Sequence, residues 1–114
     1  MAVLYHNPRC SKSRAALALL QERDLELEVV RYLENPPGEA ALRELLGQLD
    51  MTPIDLMRRG EARYRELGLK AADVTDDERI RAMAENPILI ERPIFIARGK
   101  AVIGRPPERV LELL

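Results

Sequence analysis

The stretch Val3-Leu4-Tyr5-His6-Asn7-Pro8-Arg9-Cys10-Ser11-Lys12-Ser13-Arg14 decides how the rest of the chain is read. Val3 to Tyr5 is a short apolar, partly β-branched run with the composition of a strand. It breaks at Asn7-Pro8 because proline has no N–H to give to a ladder. From Ser11 to Arg23 the period changes: Ala16, Leu17, Leu19 and Leu20 recur at helical spacing, and Lys12, Arg14, Glu22 and Arg23 make a polar face. Strand character returns from Leu27 to Leu33, centred on Val29 and Val30, before the turn Asn35-Pro36-Pro37-Gly38. Strand, helix, strand predicts two parallel strands joined by a right-handed crossover, and hence an α/β sheet.

Downstream of that turn the chain becomes helical. Leu42, Leu45, Leu46 and Leu49 fall at i, i+3, i+4 and i+7, one face of an amphipathic helix. Thr52-Pro53 reads as an N-cap with proline at the first helical position, opening a short helix toward Arg59. Gly60 and Gly68 restrict the next stretch to short helical pieces. Thr75-Asp76-Asp77-Glu78 fits a capping box whose helix runs to about Glu85, with Ile80, Met83 and Ala84 on its apolar face. Pro87 ends that helix. Pro93 to Ala97, then Arg98-Gly99-Lys100, then Ala101 to Ile103 predict a hairpin around a glycine turn. Pro106 and Pro107 open a last helix with Val110, Leu111 and Leu114 facing inward. The order β-α-β, a helical block, then β-β-α is that of the thioredoxin-like fold with a mixed sheet. The reading is one domain over residues 1–114 carrying a helical insertion at about 39–85.

Composition limits the function classes. The 114 residues suffice for one domain with one core and are too few for two. Eighteen Lys and Arg against nineteen acidic residues give a net charge of −1, so no global field favours nucleic acid, and a bound anion must be held by local geometry. The N-terminus has neither the pattern of a signal peptide nor that of a membrane span, so a cytoplasmic address without membrane or nucleic-acid partners is expected. A single cysteine excludes an intramolecular disulfide framework, and a single histidine offers no cluster with zinc-ligand spacing. If Cys10 is reactive, its second thiol comes from another molecule.

Cys10 stands at the strand-to-helix junction. The first turn of a helix presents unpaired amide donors and about half a positive charge, which favour a thiolate over a thiol. Arg9, Lys12 and Arg14 add positive charge nearby. His6, four residues earlier, is placed either to share in activating the sulfur or to be a partly buried residue of the strand end. The same amide-rich turn, with Ser11, Lys12, Ser13 and Arg14, forms a nest for a tetrahedral oxyanion such as phosphate, arsenate or sulfate. Only three residues separate Cys10 from Arg14, fewer than in low-molecular-weight tyrosine phosphatases, which argues against that chemistry.

The run from Tyr5 to Arg14, with Tyr32-Leu33-Glu34-Asn35-Pro36-Pro37, Leu56-Met57-Arg58, the run from Asn86 to Ile94, and Gly104-Arg105-Pro106, resembles the arsenate reductase family that draws electrons from glutathione and glutaredoxin. The likeness covers essentially the whole chain and is strongest to the short bacterial branch of this ArsC-like family. The resemblance implies that Cys10 is the nucleophile, that His6 lies beside it, and that Arg58, Arg92 and Arg105 hold the oxyanion and its product. It also implies a cis peptide bond before Pro93 that presents Arg92 opposite Cys10. Glutathione would be a cosubstrate rather than a bound cofactor, glutaredoxin the protein partner, and the metal requirement none. A monomer is the default expectation.

Two other readings stay open. Spx-type regulators of the same superfamily bind RNA polymerase and often carry a cysteine pair; here Ser13 fills the second position, leaving at most a single-thiol regulator. A monothiol reductase acting on another substrate would share the chemistry of Cys10.

Overall fold

Ala2–His6 forms the first strand, β1, and its alternation puts Ala2, Leu4 and His6 in the interior with Val3 and Tyr5 half-buried. The chain then enters helix α1, Ser11–Gln21, and returns through β2, Leu27–Arg31. In the computed structural model, which describes residues 2–114, the chain falls into two compact units. One comprises the stretches up to Asn35 and from Arg92 to Leu114; the other is Pro36–Glu91.

The first unit is built on a four-stranded sheet in the order β2-β1-β3-β4, with β3 at Ile94–Ala97 and β4 at Lys100–Ile103. β1 pairs parallel with β2, Leu4 opposite Val29, and antiparallel with β3, Leu4 opposite Phe95. The sheet is therefore mixed, as the sequence pattern requires. Arg98 and Gly99 both have positive φ, 56° and 75°, which is the backbone of a two-residue turn matched to strand twist. Against the sheet, Ala16 and Leu20 of α1 join Leu4, Phe95, Val102 and Val110 in one core cluster. Gly104 is packed so closely that a Cβ there would meet side-chain atoms of Pro93 and Val110 at 3.0 Å each.

Several boundaries differ from the sequence reading. α1 stops at Gln21 rather than Arg23, with Arg23 N–H turned to the Leu20 carbonyl at 3.1 Å. β2 stops at Arg31 rather than Leu33, because the Arg31 carbonyl accepts from Glu34 and Asn35 N–H at 3.0 and 2.9 Å and closes a turn. The final helix is a 3₁₀ helix, Pro107–Leu113, whose threefold period brings only Val110 fully inside; Leu111 is half-buried and Leu114, expected inward, is 44% exposed.

The second unit is helical: α2 at Glu39–Leu49, α3 at Pro53–Leu56, α4 at Ala62–Glu66 and α5 at Asp76–Glu85, followed by a 3₁₀ turn at Pro87–Leu89. Leu42, Leu45 and Leu46 of α2 are buried, as are Leu56, Ile80 and Met83. The capping box of Thr75 with Glu78 closes, and Thr52 pairs with Asp55 at the start of α3. α3 ends before Arg59 because Met57 is extended and bridges to Ile90. Among the described residues no helix is long and apolar enough to cross a membrane.

Candidate active site

Cys10 is the N-cap of α1, with extended backbone (φ −96°, ψ 122°) and a partly exposed side chain. Local bonds fix the loop that delivers it. Cys10 N–H donates to the Asn7 carbonyl at 3.0 Å, Arg9 N–H to Asn7 Oδ1 at 3.0 Å, and Arg14 Nη1 to the Pro8 carbonyl at 2.9 Å. None of these uses the sulfur. The sulfur instead faces the helix end, where the backbone N–H groups of Ser13 and Lys12 and the Arg92 guanidinium all favour its ionised form. Partial burial pushes the thiol up, and these groups more than offset it, so the Cys10 pKa lies below the usual thiol value.

Arg92 reaches the sulfur from two residues before β3, and its bond to Pro93 is cis. The Arg105–Pro106 bond is also cis. Arg105 Nη1 donates to the Arg92 carbonyl at 3.4 Å, which keeps the second arginine beside the first. Arg58 belongs to the other unit, where its guanidinium pairs with Glu61 at 2.8 Å and its N–H donates to the Leu89 carbonyl at 2.7 Å.

His6 is 6% exposed, and its Nδ1 lies 2.7 Å from Ser13 Oγ, a hydroxyl that also accepts from Asn7 N–H at 3.0 Å. Burial first, then the charges of Arg31 and Arg14, depress the His6 pKa and keep the ring neutral. A serine hydroxyl donates one hydrogen bond and accepts two, so the contact holds with either partner as donor. The contact ties His6 to the turn whose N–H groups face the Cys10 sulfur.

The sequence reading put the Ser13 hydroxyl in the oxyanion nest. Ser13 is fully buried and its hydroxyl is committed to His6 and Asn7, so what it offers the nest is its N–H. Ser11, Lys12 and Arg14 are exposed along the first turn. The buried role of Ser13 had a signal in the sequence: it shares the i, i+3, i+7 stripe of Ala16 and Leu20, where a hydroxyl needs an internal partner.

The ArsC family profile matches residues 5–113, nearly the full chain, cysteine loop and arginines included. The chain belongs to the ArsC family. This ArsC family member is similar to the uncharacterized protein YfgD of Escherichia coli strain K12, at 54% identity over 97% of this chain and 94% of that one. It is also similar to the arsenate reductase of Neisseria meningitidis serogroup A, at 46% identity over 97% and 96% of the two chains. Among solved structures, the arsenate reductase from Vibrio cholerae superposes on the ArsC chain with a TM-score of 0.95 at 47% identity, covering 99% of this chain and 97% of its own. The thioredoxin-like fold is shared with that solved structure.

Proposed function

We propose that this protein is an arsenate reductase-type thiol oxidoreductase with Cys10 as its nucleophile, drawing its electrons from glutathione and glutaredoxin. The observation that carries the reading is the Cys10 sulfur held between the N–H groups of Ser13 and Lys12 and the Arg92 guanidinium, with its pKa lowered. Relatives named arsenate reductase, matched over nearly the whole chain, support the choice of oxyanion.

The Cys10 thiolate attacks arsenate and an oxygen leaves as water, giving a thiol ester of arsenic(V). Arg92 and Arg105 neutralise the charge on the remaining oxygens, the forked guanidinium donating to two at once. Arg58 enters as the third arginine on the family resemblance alone. Glutathione then attacks the Cys10 sulfur; the sulfur–arsenic electron pair stays with arsenic, which departs as arsenite, and Cys10 is left as a mixed disulfide. Glutaredoxin takes the glutathione by thiol exchange and restores Cys10.

The test is a coupled assay with arsenate, glutathione and glutaredoxin. Steady turnover in the wild type, lost in Cys10→Ser, is expected. Turnover by Cys10→Ser near the wild-type rate, or none by the wild type with any thiol donor, overturns the reading. A pull-down with RNA polymerase in parallel separates the enzyme from a single-thiol regulator.

A further inference from the structure

The unit Pro36–Glu91 contains a cavity of about 720 Å³ that the thiol chemistry leaves unused. Ile54, Tyr64 and Ala71 give its lining an apolar part, and Arg59, Arg65 and Lys70 give it three cations. The charge is a local excess. From Arg58 to Ala71 the chain carries five cations, Arg58, Arg59, Arg63, Arg65 and Lys70, against two carboxylates, Glu61 and Glu66, although the whole chain is slightly acidic. Both carboxylates are already taken, Glu61 by Arg58 at 2.8 Å and Glu66 by Arg63 at 3.3 Å. Among the described residues, Arg59, Arg65 and Lys70 have no ion pair, and Arg65 spends one donor on the Gly60 carbonyl at 3.3 Å. Tyr64, 4% exposed, packs into the same lining.

We propose that this cavity binds a small amphipathic anion: a carboxylate, sulfonate or phosphate carried on an apolar body. The volume is within the range of roughly 300–1,000 Å³ typical of sites for organic ligands. A bare inorganic oxyanion would leave most of it unfilled. A neutral apolar ligand would cover Ile54 and Ala71 yet leave three cations without a counter-charge. An amphipathic anion meets both demands. The wall is set before any ligand arrives, because the buried Arg79 guanidinium donates to the carbonyls of Leu69, at 3.0 and 3.1 Å, and of Ala71, at 3.1 Å. Binding then carries little ordering cost.

The experiment titrates the full chain with anilinonaphthalene sulfonate, an apolar ring system bearing one anionic group, and with neutral phenylnaphthylamine, the same rings without the sulfonate. The chain has no tryptophan to complicate the fluorescence. Saturable one-to-one binding of the sulfonate is expected, with amide NMR shifts confined to the segment 54–71. The double variant Arg59→Gln/Lys70→Gln, both positions exposed, should bind it about tenfold more weakly. The variant's amide spectrum reports that the unit is still folded. Equal affinity for the neutral probe, unchanged affinity in the double variant, or shifts centred outside this segment would each overturn the proposal.

Discussion

The 2.7 Å contact between His6 Nδ1 and Ser13 Oγ joins the end of the central strand to the first turn of the helix that Cys10 caps. The buried contact braces that turn, and the N–H groups of the turn are what the Cys10 sulfur meets.

Removing the brace should therefore move two quantities together. Ser13→Ala strips Asn7 N–H and His6 Nδ1 of their shared partner, and a buried polar group left unsatisfied costs about 1–3 kcal/mol. Chemical denaturation should show a loss of that size, and the pH profile of Cys10 alkylation should shift upward. Equal stability and an unmoved profile would show that the contact does nothing for the thiol.

His6 also sets an acid limit on stability. Its folded pKa is lowered, chiefly by burial, while the unfolded chain titrates near the ordinary value of about 6.5. Below that pH the unfolded state takes a proton that the folded state refuses, so this contribution is complete above about pH 6.5 and is lost as pH falls further. Denaturation across this window should show the loss in wild type and its removal in His6→Asn, where the chain's only histidine is gone. A slope that persists in the variant would assign the effect to other groups.

Arg92 is expected to matter twice, by favouring the Cys10 thiolate and by holding the oxyanion. Arg92→Ala should raise the thiol pKa and lower turnover by about 10²-fold, the scale of losing one preorganised donor to a developing anion. Arg92→Lys keeps a positive charge but loses the fork, so it should recover part of the pKa shift and little of the rate. Steady-state kinetics beside thiol titration separates the two roles; unaltered kinetics in both variants would place the side chain outside the chemistry.

Arg79 is 8% exposed, and its guanidinium also donates to the Val74 carbonyl at 2.9 Å. Its partners are backbone carbonyls of one loop, so Arg79→Met should destabilise the protein by about 2–3 kcal/mol. Arg79→Lys should fail to restore it, because an ammonium cannot span the same acceptors. Urea denaturation of both variants checks this.

The strand, the break at Asn7-Pro8 and the helix behind Cys10 were legible because period two changes to period 3.6 across a proline, all within local sequence. The capping box at Thr75–Glu78 was legible for the same reason. What local pattern could not carry was hydrogen-bond commitment across elements. Ser13 reads as an available hydroxyl until the strand lays His6 against it. Arg79 reads as one more surface cation of α5 until the loop at Leu69–Val74 wraps its carbonyls around it. The last segment kept its apolar residues but took the tighter 3₁₀ winding, which aims Val110 inward and turns Leu114 away. The arginines were known only through the family likeness, since no spacing in the sequence relates Arg92 to Cys10.

The central claim is that helix amides and Arg92 stabilise the Cys10 anion and hold its pKa below the usual thiol value. The most direct measurement is the rate of Cys10 alkylation as a function of pH. With one cysteine in the chain the signal has a single source. The midpoint should fall clearly below the free-thiol value of about 8.5 and rise in Arg92→Ala. A midpoint at or above that value in the wild type would contradict the account.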